Sequence, residues 1–152
     1  MQKNIKQIRD LHIIEKELNA CPAGILALYI DDDKIVQVAT TFLYQDKNIY
    51  FFLDDTSELY QSIHFNATTS FAIVKNDKIK KNQKNEHAYK SLSITIAGHI
   101  KRIDEQKIID EIKQQYLNKY AGENENTNIE AVTGNIVMID TQEIQAVEES
   151  GG

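Results

Sequence analysis

The side chains of this chain that could do chemistry are four histidines, one cysteine, two carboxylate runs and a group of lysines. His12, His64, His87 and His99 are metal-ligand types, yet no two form an H-x-x-x-H pair and none neighbours the cysteine. Each reads as an ordinary packed or surface imidazole unless the fold gathers them. His64 and His99 are the pair that a fold could bring toward one pocket. Cys21 as a nucleophile needs a neighbouring base and a lowered pKa; the sequence displays neither, so it reads as a buried structural thiol. Asp31-Asp32-Asp33 lacks the alternating ligand spacing and closing Glu of a calcium loop, and reads as a hairpin turn. Between residues 75 and 90 stand Lys75, Lys78, Lys80, Lys81, Lys84 and Lys90 against Asp77 and Glu86. That segment is either an anion clamp or a solvated loop, and Tyr89 alone is thin provision for stacking nucleic-acid bases. Ser-His-Asp spacing, a P-loop and a dinucleotide fingerprint are all absent.

The remaining composition narrows the classes. A chain of 152 residues is one domain by size and long enough to bury a core. Its net charge of −6 disfavours nucleic acid as a partner, because neutralising phosphates needs concentrated Lys and Arg. One cysteine cannot form an intramolecular disulfide. The start, MQKNIKQIRD, has no apolar segment of a signal peptide, and no apolar run approaches the ~20 residues of a membrane span. The expectation is a cytoplasmic protein with no membrane contact.

The elements that must position any site read as follows. Ile5, Ile8, Leu11, His12 and Leu18 predict a helix over 4–19, ended by Cys21-Pro22. Gly24–Ile30 is a short apolar strand, Lys34–Tyr44 a long one rich in β-branched residues, and Ile49–Leu53 a third. Asp54-Asp55-Thr56-Ser57 supplies capping side chains for a helix running to about Phe65, with Leu59 or Tyr60 and Ile63 buried. Thr68–Lys75 is a fourth strand, 76–89 a polar loop, and Lys90–Ile103 a long strand with a bulge or close approach at Gly98. Asp104 opens a helix whose face carries Ile108, Ile109, Ile112, Tyr116 and Tyr120. Asn135–Ile139 and Ile144–Val147 are the last strands. The sum is a mainly β single domain with flanking helices. Its barrel spans about 24–140, and a short C-terminal tail follows.

The strand, strand, strand, short helix, strand order from Gly24 to Val74, with Thr-Ser opening the helix and Asn66 closing it, resembles the flavin-binding split-barrel family of pyridoxamine 5'-phosphate oxidase. The strand Ile94-Thr95-Ile96-Ala97-Gly98 resembles the family's central strand. The resemblance implies an antiparallel six- to seven-stranded split β-barrel. It also implies a homodimer, with FMN as a small-molecule ligand lying across the subunit interface. It places cofactor contacts on Val38, Ala39, Thr40 and Thr41, on Phe52 and Leu53, on Thr56 and Ser57, and on Ser93. Several of these depart from the family's chemistry. Val38 stands where the family uses an Arg toward the phosphate, Glu58 and Leu59 where it uses a basic pair, and Ser93 where it uses a Gln toward the ring. A flavin-dependent oxidoreductase of unknown substrate is therefore one expectation, and pyridoxamine 5'-phosphate oxidase activity itself is not expected. The alternatives are a dimeric module with a degenerate flavin site that binds haem, through an axial His, or another small molecule without catalysis, and a structural dimer.

Overall fold

Alternation of apolar side chains along the strands decides the architecture, because successive residues of a strand face opposite sides of the sheet. A computed structural model describes residues 3–31, 34–81, 87–122 and 128–151. In chain order its elements are β1 (Lys3–Ile8), α1 (Leu11–Ala20), β2 (Gly24–Asp31), β3 (Lys34–Thr40), β4 (Leu43–Gln45), β5 (Asn48–Leu53), α2 (Glu58–Gln61), β6 (Thr68–Lys81), β7 (His87–Arg102), α3 (Gln106–Ala121) and β8 (Asn135–Gly151). The strands pair antiparallel in the order β3-β2-β6-β7-β8-β5-β4, and β1 adds to β8. Only Thr41 and Phe42 separate β3 from β4, which are the two ends of that order. Chain continuity therefore draws the sheet's ends together into a barrel with an unbonded seam, the split β-barrel expected, built from eight described strands rather than six to seven because β1 adds to β8.

Three faces result. Leu26, Leu28, Ile49, Phe51, Phe71, Ile96, Val137 and Ile139 fill the barrel, joined by Ile14 and Leu18 of α1 and by Phe42 at the seam. Phe42 meets Phe71 edge-on at 4.7 Å, and burying each ring stabilises by ~2–3 kcal/mol. The alternate residues Tyr50, Phe52, Ile136 and Met138 face outward and are covered by Ile108, Ile109, Ile112 and Tyr116 of α3. Across β2, β3 and β6 the outer face keeps Ile25, Tyr29, Ile35 and Val74 exposed, at 42%, 44%, 57% and 61%. Tyr29 lies opposite Ile35, and Ile25 lies between Ala39 and Ala72.

Several expectations are corrected. The helix predicted over 4–19 is a strand followed by a shorter helix, because residues 3–8 pair with Ala146–Gly151 of β8. Asp10 restarts the chain as a helix, its carboxylate accepting from the His12 N–H at 2.9 Å. The long second strand breaks at Thr41-Phe42 into β3 and β4. Asp46 and Lys47 then make a tight turn, both with positive φ, as a two-residue hairpin requires. The helix expected to run to Phe65 is four residues long. The chain beyond it is tied to β7 by Asn66 N–H to Ile100 O at 2.7 Å and Ile100 N–H to Ala67 O at 3.0 Å. Leu59, Tyr60 and Ile63 do pack on the core. In place of the loop over 76–89, β6 runs to Lys81 and β7 starts at His87; the lysine-rich tip at 82–86 lies outside the described residues. The expected tail continues as β8, and Glu105 rather than Asp104 precedes α3. Gly98 is a bulge as predicted: the register shifts there, and a Cβ would run into the Asp140 carbonyl.

Candidate functional site

The seam between β3 and β4 is held by hydroxyls from the last turns of α3. Thr40 Oγ1 donates to its neighbour's carbonyl, Thr41 O, at 3.0 Å, and Thr41 Oγ1 lies 2.8 Å from the Tyr116 hydroxyl. Tyr116 also meets Phe52 edge-on at 4.9 Å and Tyr120 at 4.7 Å. Tyr120 Oη accepts from the Phe42 N–H at 3.0 Å and faces two carbonyls, Pro22 O at 2.7 Å and Phe42 O at 3.1 Å. Lys119 Nζ donates to Phe42 O at 2.9 Å and sits 3.7 Å from the centre of the Phe42 ring. Burial pushes the Lys119 amine down to about 8, and burial likewise raises the Tyr120 phenol. Thr40, Thr41 and Phe52 are therefore gathered at one corner, with Tyr116 as the residue that joins two of them.

The turn after β5 is built differently. Asp54 Oδ1 accepts from both the Thr56 N–H and the Thr56 hydroxyl at 2.9 Å, and these bonds lower the Asp54 carboxyl. Ser57 Oγ donates to Asp54 O at 2.7 Å and accepts from the Tyr60 N–H at 3.1 Å, capping α2 as expected. Asp54, Asp55, Thr133 and Gly134 line a hollow of about 290 Å³ beside it. In β7, Lys101 Nζ bonds Asn66 Oδ1 at 2.8 Å, and the Arg102 guanidinium stacks 4.8 Å from the Phe65 ring centre and 5.8 Å from that of Tyr60, with its N–H donors still free among the described residues.

The other predicted positions are dispersed. Val38 lies opposite Leu26 and so faces the barrel, whereas Ala39 lies opposite Ile25 on the exposed outer face. Leu53 is a core residue. Ser93 sits between Val74 and Val147 on the outer face, in a long contact of 3.5 Å with Val147 O. A ligand touching both Ser93 and the Thr41 corner would have to span more than one face of this chain. The His64 ring lies 3.2 Å from Ile30 O, and His99 lies opposite Thr68 and Asp140. Among the described residues no three His, Cys, Asp or Glu side chains form a metal-holding group. Cys21 is half-buried, its thiol 3.1 Å from Ala23 O.

Sequence reasoning placed Tyr116 and Tyr120 on a packing face and missed that their hydroxyls serve the seam. The signal was present in the type: a packing face built with Tyr rather than Phe has oxygens to satisfy. Lys119 and Arg102 carried no signal, because their roles depend on which rings the fold places under them.

A flavin ring and a phosphate make different demands on these groups. The corner suits a ring: aromatic edges, a threonine hydroxyl, and the main-chain groups of β3, which pairs with β2 alone among the described strands. The turn after β5 does not suit a phosphate. A phosphate needs donors, and the hydroxyl protons of Thr56 and Ser57 are already given to Asp54. Glu58 and Leu59 follow, and α2 is too short to offer a helix-terminus anion site.

The strand order and its unbonded seam define an antiparallel split barrel. The model of the pyridoxamine 5'-phosphate oxidase family matches residues 13–148, and the chain belongs to that family. No curated protein matches it in sequence. Among solved structures it resembles a Bacteroides thetaiotaomicron protein assigned provisionally to 5-nitroimidazole antibiotic resistance. That match has 13% identity and a TM-score of 0.79, covering 100% of this chain and 93% of the other. It also resembles two Mycobacterium smegmatis proteins at 13% identity. One is an FAD-binding protein, with a TM-score of 0.68 over 97% of this chain and 100% of that one. The other is an FAD- and haem-binding protein, with a TM-score of 0.69 over 93% and 72%. At these identities the likeness establishes a shared fold. No described helix is long and apolar enough to cross a membrane.

Proposed function

We propose that this chain is a flavin-binding protein of the split-barrel type that works as a homodimer, with the ligand at the subunit interface and a flavin-dependent oxidoreductase activity. The observation that carries the reading is the Thr41–Tyr116–Phe52 corner: a hydroxyl pair 2.8 Å apart and a ring edge at 4.9 Å, beside the free side of β3. The flavin would supply hydride or electron transfer, and this chain would bind and orient it. Thr40 and Thr41 address the ring edge, with the main chain of Val38 and Ala39. The main chain of Phe52 would meet the ring, because its side chain packs under Tyr116 of α3, and Leu53 backs it from the core. Thr56 and Ser57 face the tail. Ser93 would reach a ligand from the outer face, where exposed Ile25, Ile35 and Val74 offer the apolar surface a second copy would cover. FAD-binding structural relatives support the class of ligand.

The second reading is a non-catalytic module that keeps the fold and takes haem or another small molecule. It is favoured by the mismatch between a phosphate and the turn after β5. A visible spectrum of the purified, untreated protein, then titration with flavins and haemin and gel filtration, tests both. A flavin spectrum that co-elutes with a dimer is the expected result. A Soret band without flavin would replace the first reading with the second and move attention to His64 and His99. No uptake of either ligand would sink the first reading and the haem form of the second, leaving a colourless ligand or a structural dimer.

A further inference from the structure

Gln115, Asn118 and Lys119 stand at i, i+3 and i+4 along α3, so they share one face of the helix. With Gln45 of β4 and Asn19 in the last turn of α1 they line a hollow of about 300 Å³ between the three elements. Four of these side chains are carboxamides and one is an amine. Gln114 donates to Asn118 Oδ1 at 3.0 Å and Gln45 donates to Glu111 Oε1 at 3.3 Å, so Asn118 keeps its N–H donors and Gln45 its acceptor. The flavin reading above uses none of the five.

The amine differs from its neighbours in having a nucleophile to offer. Lys119 Nζ donates to Phe42 O at 2.9 Å and lies 3.7 Å from the Phe42 ring centre, and among the described residues no carboxylate pairs with it. The titratable groups facing it are the Cys21 thiol at the end of α1 and the Tyr120 phenol, whose ring centre is 5.2 Å away; Glu111 stands at the rim, bonded to Gln45. Burial without a counter-charge favours the neutral amine, the form that attacks carbonyl carbon.

We propose that Lys119 binds a small carbonyl compound covalently in this hollow, as an imine, while the carboxamides hold the compound's remaining oxygens. The neutral amine forms the C–N bond by attacking the carbonyl carbon. From ammonium to protonated imine, two of the three hydrogens on nitrogen leave with the carbonyl oxygen as water. The third stays on nitrogen, where Phe42 O can still accept it. No oxidant or reductant is consumed, and hydrolysis reverses the step.

The test traps the imine on the native protein with glyoxylate and cyanoborohydride at about pH 7.5, and follows each lysine by peptide mass mapping. At that pH about a quarter of an amine titrating at about 8 is neutral, against about one in a thousand of an ordinary lysine. Lys119 is expected to react at least tenfold faster than Lys16 and Lys47, which are exposed, and to lose that advantage in concentrated urea. With propanal, which carries no second oxygen, the advantage should be smaller. Lys119→Arg keeps the charge and the donor to Phe42 O but should abolish the fast-reacting site.

If Lys119 reacts no faster than Lys16 and Lys47, or if a fast site persists in Lys119→Arg, the covalent site is refuted. An equal advantage with glyoxylate and propanal would show that the carboxamides hold nothing, and would overturn the assigned ligand class.

Discussion

Replacing Tyr120 by Phe removes one oxygen atom from the seam and strands a specific donor. That oxygen accepts from the Phe42 N–H at 3.0 Å, and its own proton goes to the nearer carbonyl, Pro22 O at 2.7 Å. Phe42 O keeps a partner in the variant, because Lys119 Nζ donates to it at 2.9 Å. The Phe42 N–H has no such substitute, and the Phe42 residue is 0% exposed. A buried donor left unpaired costs ~1–3 kcal/mol, while the outer bond to Pro22 can be replaced by water at little cost. The expected loss is about 2 kcal/mol, which for a chain of this size lowers Tm by roughly 4–8 °C. Tyr116→Phe is the matched control. Its hydroxyl partner, Thr41, is exposed and can turn to solvent, so the loss should stay below ~1 kcal/mol. Urea titrations of both variants, with unchanged m-values, measure the difference. If Tyr120→Phe is within ~0.5 kcal/mol of the wild type, or Tyr116→Phe costs as much, the seam is not held by this hydroxyl and the reasoning fails.

Gly98→Ala should destabilise by ~1–3 kcal/mol, because the new methyl meets the Asp140 carbonyl, which belongs to backbone and cannot swing away; an unchanged urea midpoint would refute the close approach. Ile25→Asp with Val74→Asp should give a folded monomer by light scattering, since both side chains are exposed within one chain; a variant that stays dimeric places the interface elsewhere. Lys119→Met tests burial of the amine, whose folded value of about 8 lies below the ordinary lysine value of 10.5. Between those two values the unfolded chain binds more protons, so wild-type stability rises with pH there relative to the variant. Below about 8 both states are protonated and the difference should be flat. Parallel melts from pH 7 to about 10.5 that show no rise relative to Lys119→Met would refute the depressed value.

The strands from Gly24 to Leu53 were legible because their alternation is strong and their turns are short. What the sequence concealed were long-range pairings. Residues 3–8 repeat Ile5 and Ile8 at a spacing compatible with a helix, and only the far end of β8 makes them a strand. The lysines after Val74 resemble loop residues by type, yet the backbone of β6 continues to pair through Asp77 with Lys90 and on to Lys81 with His87. Polar side chains do not prevent pairing on a strand whose partner is in place. The break at Thr41-Phe42 was hidden for the same reason. Its cause is the tyrosine pair of α3, some 75 residues away.

The site was legible as an inventory of groups but not as an account of where their protons go. Thr40, Thr56 and Ser57 each present a hydroxyl that a sequence reading can assign to a ligand. In the structure all three have donated, to Thr41 O, to Asp54 Oδ1 and to Asp54 O. A hydroxyl has one proton, so what remains to these residues is acceptor capacity. The substitutions that looked like losses, Glu58 and Leu59 at basic positions, then agree with their surroundings rather than standing as isolated defects. The side-chain hydroxyls at the turn have given their protons away, and no basic side chain stands at 58 or 59 to meet the family's phosphate. Thr41 is different, because the bond to Tyr116 leaves the donor's identity free. If Tyr116 donates, the Thr41 proton can turn outward to an acceptor on a flavin ring; if Thr41 donates, its lone pairs can take a ring N–H. The hydroxyl whose proton is still unassigned therefore lies at the corner, whereas those of the turn are spoken for.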